Sequence, residues 1–259
     1  TGDALFPLRD ENPTELTPYI TITLVALNVI VWLYLQGGGA SPTVLFESIC
    51  RFGMIPAELA GMTDAHEGVE LAPEAVCRFG GLTWSAALTS MFLHGSWMHL
   101  IGNMWFLWLF GNNVEDSMGH LRFLVFYLLM GAAAAGAHVF SLPESPVPMV
   151  GASGAISGVM GAYLLLYPRV RIHTLFIILF FIRIIPVPAW LVLCQWFVIQ
   201  LISGASMPTA GGGVAFWAHV GGFVAGLVLV KPFENRVLVN AKKRRVQLRP
   251  WELEHRGWW

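Results

Sequence analysis

Charged side chains are scarce in this chain. Lys, Arg, Asp and Glu together make up 12% of its 259 residues, whereas an ordinary soluble domain carries about a quarter. Hydrophobic residues make up 56%, and the mean hydropathy is +0.63. Because so few charges would leave much of this apolar sequence exposed to water, the composition argues against a typical soluble enzyme. It predicts a protein that crosses a membrane several times.

Six apolar segments come close to the length of a membrane-spanning helix, which is about 20 residues. We number them as the first to sixth spans, and they cover residues 19–36, 97–114, 121–140, 150–167, 187–203 and 214–230. Arg183, Pro186 and Pro188 interrupt the apolar run before the fifth span, so 172–182 is predicted to connect spans at the membrane surface. The predicted fold class is therefore all-α, a polytopic membrane protein with a six-transmembrane-helix bundle.

The spans divide the chain into a tail, a membrane domain and a second tail. Residues 1–18 form a polar N-terminal tail and 19–232 the six-helix domain, which contains a long first loop at 37–96. Residues 233–259 form a basic tail suited to anionic lipid. We expect no cleavable signal peptide in the polar, acidic N-terminal tail. The short tails and the lack of a transit peptide favour a bacterial inner membrane.

Lys and Arg are distributed unevenly, and this distribution predicts orientation. Eight of the fifteen lie between 231 and 256. With the N-terminus inside, the inward connections carry Arg122, Arg169 and Arg171. The outward connections at 141–149 and 204–213 carry neither Lys nor Arg. Since basic residues concentrate on the cytoplasmic side of membrane proteins, both termini are predicted to lie inside.

Cysteine is also rare, with three in the chain. Cys194 lies within the fifth span and is predicted to be a small core residue. Cys50 and Cys77 share the first loop, which the predicted orientation places outside the cytoplasm, where thiols can oxidise. A Cys50–Cys77 disulfide and two free thiols both remain open.

Several catalytic signatures are missing. The chain has no HExxH zinc-protease helix, no phosphate-binding loop and no Asp or Glu within a span, which argues against an embedded aspartyl pair. Residues 151–155 read GASGA, which lacks the last glycine of GxSxG and follows no predicted strand. A metal site of His94, His99 and His219 is an alternative, but no carboxylate or Cys joins them. The sequence also has no basic patch interleaved with aromatic residues, so it does not suggest nucleic-acid binding.

Four polar side chains are predicted to share one depth in the membrane. The second, fourth and sixth spans all enter from the outer face, and they carry His99 with Asn103, Ser153, and His219 respectively. At 1.5 Å per residue, each group lies within roughly 10 Å of the outer end of its helix. Polar groups at membrane depth usually face a cavity or one another, so this grouping predicts a functional site.

The chemistry of this group favours acyl transfer. A serine becomes a good nucleophile when a histidine takes its proton, which suits Ser153 and His219. Small residues on the fourth and sixth spans would let the two helices approach closely, although helix packing alone also explains them. They are Gly154, Gly158 and Ala162 on the fourth span and Gly221, Gly222 and Gly226 on the sixth.

His99 and Asn103 are four residues apart and share a helix face, from which both can donate hydrogen bonds to an oxyanion. A polar pair that stabilises helix contacts is the alternative. Because no acidic residue lies in a span, we predict a Ser–His dyad, with Glu144 in the outer loop as the weaker candidate for a third member.

Three motifs, HGSWMHLIGN at 94–103, GASG at 151–154 and AHVGG at 218–222, occur in this order on alternate spans. Together they resemble the rhomboid intramembrane serine proteases over residues 19–232. The resemblance implies that Ser153 is the nucleophile, His219 the base, and His99, Asn103 and the Ser153 backbone N–H the oxyanion donors. It implies structural roles near the site for His94, Glu115, Gly151, Gly154, Gly221 and Gly222. Ser157 departs from the pattern, since many rhomboids have an aromatic residue there that packs against the histidine.

The resemblance also implies a substrate. A single-pass transmembrane protein would enter past the second and fifth spans and be cut near the outer membrane face, without metal, cofactor or nucleic acid. The loop 204–213 would form a mobile cap, and a plain flexible connector is its alternative. An inactive rhomboid-like protein that binds transmembrane clients is the second functional hypothesis, and a channel or transporter is the third.

Overall fold

The computed structural model describes residues 4–63, 68–72, 75–80, 83–178, 181–206, 214–244 and 253. Most of this part of the chain is helical. The helices form one bundle, with a compact region of short elements at one end and a small β-sheet at the other.

The first span is helical throughout. Helix α1 covers Tyr19–Ile30 and continues as a π-helical turn over Val31–Leu35. It follows Pro18, whose fixed φ suits a helix start. It ends before Gly37, where φ of +61° takes the backbone into the left-handed region that glycine adopts easily.

The long first loop contains its own short elements. Their bounds are α2 Pro42–Phe52, α3 Pro56–Leu59, β2 Gly68–Ala72, β3 Ala75–Arg78, α4 Thr83–Thr89 and a 3₁₀ turn at Ser90–Phe92. Strands β2 and β3 form an antiparallel hairpin, and a Cys50–Cys77 disulfide joins it to α2. Met54 pairs through its backbone with Met149, so this loop holds the segment that precedes Ser153.

The remaining spans follow in chain order. The second span consists of α5 Trp97–Phe106, a π-helical turn Leu107–Gly111 and α6 Asn112–Met118. The third is α7 His120–Ser141, the fourth α8 Ser153–Leu166, the fifth α9 Ala189–Ser206 and the sixth α10 Phe216–Phe233. Helix α11, Arg236–Arg244, comes after them.

Three of the described helices, α7, α9 and α10, are long and apolar enough to cross a membrane. The apolar helical stretches Tyr19–Leu35 and Ser153–Leu166 are shorter, and the second span is divided into three helical segments. The helical, membrane-protein part of the predicted fold class is therefore confirmed. The six-span count and the N-in, C-in orientation stay predictions.

The all-α part of the prediction was wrong. The connection between the fourth and fifth spans forms strands β4 Arg171–Ile178 and β5 Phe181–Pro188, which pair with β1 Ala4–Asp10 in the order β1-β4-β5. From the sequence alone, Pro186 and Pro188 indicate only an interruption before the fifth span. Proline is also compatible with an edge strand, and β5 is one, while the isoleucine-rich sequence favours pairing. Helix α9 consequently begins at Ala189 rather than at residue 187.

Helix α8 lies at the centre of the bundle and packs backbone to backbone against α10. A Cβ atom added at Gly222 would collide with the carbonyl oxygen of Gly154, and one at Gly226 with that of Gly158. The predicted close packing of the fourth and sixth spans is thus confirmed. Gly221 faces a different neighbour, because a Cβ there would collide with Ala137 of α7. Cys194, which was expected in the core, is exposed on α9.

Both terminal segments meet at the end of the bundle opposite Ser153. Lys242 of α11 places Nζ 2.7 Å from Asp116 Oδ2 and 2.7 Å from Asn113 Oδ1. Asn113 in turn donates from Nδ2 to Asp10 of β1, with 2.9 Å between N and O. Tyr163, near the C-terminal end of α8, also donates to Asp10. The N- and C-terminal segments therefore lie at the same end of the bundle.

Candidate active site

Ser153 is the first residue of α8, and its hydroxyl contacts the imidazole of His219. Ser153 Oγ lies 2.8 Å from His219 Nε2. The other ring nitrogen, Nδ1, lies 2.8 Å from Oε1 of Gln200, and an amide oxygen can only accept. Nδ1 therefore carries the proton, and Nε2 is left to accept the Ser153 proton. This is the tautomer that a general base needs.

Gln200 of α9 is the residue that sequence reasoning missed. It is buried, and it holds His219 on the side away from Ser153. Glu144, the weaker candidate for this position, is exposed instead. The signal was present in the sequence, because an amide within an apolar span is costly in the same way as His99 or Asn103. The bond itself depends on how α9 packs beside α10.

We expect Gln200→Leu to lower kcat for peptide cleavage by about tenfold to a hundredfold, because His219 would lose its tautomer and its orientation. Gln200→Glu keeps an oxygen acceptor at Nδ1 and is expected to retain more activity. Gln195→Leu is the matched control, since Gln195 lies on the same helix and makes no bond to His219. Steady-state cleavage of a synthetic transmembrane substrate measures all three. Equal losses in Gln200→Leu and Gln195→Leu would contradict the assignment.

Aromatic rings also flank His219. The ring of Trp196 lies 5.8 Å from the imidazole centroid to centroid, and that of Phe216 lies 6.5 Å away, edge-on. Ser157 has no ring to pack against His219, and its hydroxyl donates to the carbonyl oxygen of Ser153 over 2.6 Å. The aromatic contacts of His219 therefore come from α9 and from the start of α10, not from position 157 of the fourth span.

His99 lies beside Ser153 with a donor free. Its Nδ1 accepts from the backbone N–H of Gly95 over 3.3 Å, which leaves Nε2 to carry the proton. Gly151 has φ of +125°, and a Cβ added there would lie 2.8 Å from His99 Nε2 and 3.5 Å from Ser153 Oγ. Only glycine fits this conformation and this space. The structure thus brings His99 and Ser153 together around Gly151.

Backbone N–H groups at the N-terminus of α8 are further hydrogen-bond donors beside Ser153. Helix α8 has no side-chain cap at its N-terminus, so the first N–H groups, including that of Ser153, remain available to an anion. Asn103 is buried, and its Nδ2 has no hydrogen-bond partner among the described residues. It does not line the cavity at Ser153, because it lies one helical turn further along α5 than His99.

His94 and Glu115 lie away from the reacting atoms. Both backbone groups of His94 bond to the Gln36 side chain, over 2.9 Å and 2.8 Å, and its ring packs edge-on against His99. Burial, together with the neighbouring His99, lowers the pKa of His94 to about 3. Glu115 lies at the opposite end of the bundle, where its carboxylate accepts from the backbone of Ile20 and Thr21.

A cavity of about 760 Å³ contains Ser153, His219 and His99. Among the described residues that line it, none is Asp, Glu, Lys or Arg. Across all the described residues, no three His, Cys, Asp or Glu side chains are grouped so that they could hold a metal ion. Of the loop 204–213 that was predicted to form a cap, 204–206 belongs to α9 and 207–213 lies outside the described residues. The cavity is suited to nucleophilic chemistry on an uncharged group such as a peptide bond.

Comparison with known proteins places this chain in a family. A family model described as Rhomboid domain matches residues 82–234. Rhomboid protein 1, mitochondrial, of Saccharomyces cerevisiae is 32% identical over 170 residues, which are 61% of this chain and 44% of that protein. Rhomboid-like protein 11, chloroplastic, of Arabidopsis thaliana is 31% identical over 166 residues, or 57% of this chain and 51% of that protein. Rhomboid protease GluP of Bacillus subtilis is 31% identical over 147 residues, which are 57% of this chain and 24% of that protein. The chain thus spans about half the length of these relatives or less.

Proposed function

Because the chain belongs to the rhomboid family, we propose that it is an intramembrane serine endopeptidase that uses a dyad of Ser153 and His219. Members of this family are generally intramembrane proteases, and some are inactive. The observation that carries the proposal is the 2.8 Å contact between Ser153 Oγ and His219 Nε2, together with the Gln200 bond that fixes the tautomer. Both features are those of an activated nucleophile.

The proposed reaction proceeds in two steps. Ser153 Oγ attacks the carbonyl carbon of the scissile peptide while His219 Nε2 takes the hydroxyl proton. The developing oxyanion accepts hydrogen bonds from His99 Nε2 and from the backbone N–H of Ser153, and Asn103 is the third candidate donor. The C–N bond then breaks, and His219 gives its proton to the leaving amine. In the second step His219 deprotonates a water that attacks the ester carbonyl. The bond between the acyl carbon and Ser153 Oγ then breaks, His219 returns the proton to Oγ, and the new carboxyl end is released.

The proposed substrate is a single-pass transmembrane protein that is cut near the outer membrane face. The site lies at the N-terminal end of α8, and both terminal segments of the chain lie at the other end. In the proposed N-in, C-in arrangement of six spans, this puts Ser153 on the outer side. Helix α9 is the least buried of the three long helices, since 22% of an 18-residue stretch is buried, against 33% in α10 and 44% in α7. This supports entry of the substrate past the second and fifth spans.

The protein is an integral membrane protein. The relatives compared come from a mitochondrion, a chloroplast and a bacterium, so a bacterial inner membrane stays a prediction. The second candidate function, an inactive protein that binds transmembrane clients, retains the fold and the cavity. It does not require the Ser153–His219 contact or the Gln200 bond, and these two features favour the protease.

A fluorophosphonate probe tests the proposal directly. We expect the purified protein in detergent to be labelled covalently, and mass spectrometry to place the adduct on the peptide that contains Ser153. Heat-denatured protein serves as the control, because the reaction needs His219 in place. Absence of labelling in the folded protein, or an adduct on another residue, would contradict the nucleophile assignment and favour the client-binding hypothesis.

A further inference from the structure

A third histidine, His138, lines the same cavity, and the proposed reaction has no step for it. It belongs to α7, on which Gly131, Ala134 and His138 are three and four residues apart and all line the cavity. The side chain of His138 is 7% exposed, and its Nδ1 has no hydrogen-bond partner among the described residues. An imidazole nitrogen that is buried and unpaired is unfavourable in a folded protein unless some other group pairs with it.

Other histidines of the described chain have partners for their rings. His120 bonds to Glu115 and His173 to Glu11, while His219 bonds to Ser153 and Gln200. His94 also has unpaired ring nitrogens, but it is not among the residues that line the cavity. Of the described histidines that line the cavity, His99, His138 and His219, His138 is therefore the one to which the proposed reaction assigns no role.

The position of His138 relative to Ser153 follows from helix packing. A Cβ added at Gly154, the residue after the nucleophile, would lie 2.6 Å from the Cβ of Ala134. His138 is four residues further along α7, about 6 Å toward the end of the helix near the 142–152 segment. An extended substrate advances about 3.3 Å per residue. A side chain within about two residues of the scissile bond can therefore reach His138.

The surroundings of His138 decide which side chains fit. Among the described residues, the cavity is lined by apolar, small and uncharged polar groups, and none carries a permanent charge. A charged substrate side chain would lose its hydration there without an opposite charge to compensate. A hydroxyl or an amide would lose far less, because a neutral imidazole both donates and accepts a hydrogen bond.

We propose that His138 is a specificity residue, which hydrogen-bonds an uncharged polar side chain (Ser, Thr or Asn) within two residues of the cleaved bond. The inference rests on the proposed protease function and adds to it the chemical class of the preferred substrate residue. Sites that are built to hydrogen-bond a substrate group reject analogues that lack it, because their own polar atoms are then left unpaired.

The experiment uses synthetic single-pass transmembrane peptides in which each residue within two positions of the cut is Ala, Ser or Asn in turn. At one position, kcat/KM for the polar residue is expected to exceed that for Ala by about tenfold in wild-type protein. In His138→Phe this ratio should fall to about one. His138→Gln, which keeps a donor and an acceptor, should restore part of it. His173→Phe, on β4 and remote from the cavity, should keep the wild-type ratio.

The outcomes separate this inference from the proposed function. Wild-type protein that the fluorophosphonate labels at Ser153 but that shows no polar preference at any position would overturn the specificity role alone. A wild-type preference that persists in His138→Phe would do the same, and so would an acyl-enzyme that accumulates in that variant, since it would assign His138 to the water step. Absence of labelling in the wild type would overturn the protease function itself.

Discussion

Cleavage of a transmembrane substrate is expected to fall by about 10³-fold or more when His219 is replaced by asparagine. Ser153 Oγ is 2.8 Å from His219 Nε2, the ring nitrogen that the Gln200 bond to Nδ1 leaves free to accept a proton. Without the imidazole, the hydroxyl keeps its proton and is a poor nucleophile. Ser153→Ala removes the attacking atom and is expected to have an effect of the same size.

The double variant Ser153→Ala/His219→Asn makes this prediction sharper. When two residues act as one catalytic unit, removing either one already removes the contribution of both. The double variant should therefore cleave no more slowly than either single variant. His173→Asn is the control, because His173 lies on β4 and pairs with Glu11 far from the cavity. Single-turnover cleavage measured by mass spectrometry quantifies all four proteins. Losses that multiply in the double variant would show that the two residues act independently, which a dyad excludes.

A loss of about 3 kcal/mol in the free energy of unfolding is expected for Glu115→Gln. The Glu115 carboxylate is fully buried, and it accepts from Ile20 N, Thr21 N, Thr21 Oγ1 and His120 Nδ1 over 2.9, 2.8, 2.7 and 2.6 Å. Two of these donors are backbone groups at the start of α1, where a negative charge also stabilises the helix dipole. An amide in the same place loses the charge and turns one donor toward another donor.

The matched control for this substitution is Glu11→Gln. Glu11 also pairs with a histidine, His173, but its side chain is 47% exposed, so its pair is expected to contribute less than about 1 kcal/mol. Thermal unfolding in detergent should show a lower Tm for Glu115→Gln by roughly 6–12 °C, and nearly none for the control. Similar shifts in the two variants would contradict the role given to Glu115 as the anchor of α1.

Sequence reasoning identified the residues that meet at the site because small residues accompany them. Gly154 and Gly222 permit backbone contact between α8 and α10, and that contact carries His219 to Ser153. The family assignment is confirmed by the Rhomboid domain model, whose match at residues 82–234 includes all three motifs. Such short, local motifs can be recognised in the sequence without knowledge of the tertiary structure.

Other features depended on tertiary structure. Gln200 is one polar residue in an apolar helix, and its bond to His219 follows only from the way α9 lies against α10. Strands β4 and β5 were missed because their residues suit either an interrupted helix or an edge hairpin, and pairing with β1, more than 160 residues earlier, decides between them. Sequence periodicity carries no information about a partner that is so distant along the chain.

The Gln200 amide keeps a permanent charge out of the part of the site that lies within the proposed membrane region. A carboxylate in its place would bring a permanent ion into a low-dielectric region, where a lone charge has a large solvation penalty. With Gln200, the resting assembly of serine, imidazole and amide needs no net charge. In the proposed reaction, charge separation arises only during turnover, as an imidazolium next to an oxyanion, and the two fields largely cancel at a distance. The surrounding lipid would therefore face a short-lived dipole rather than a fixed monopole.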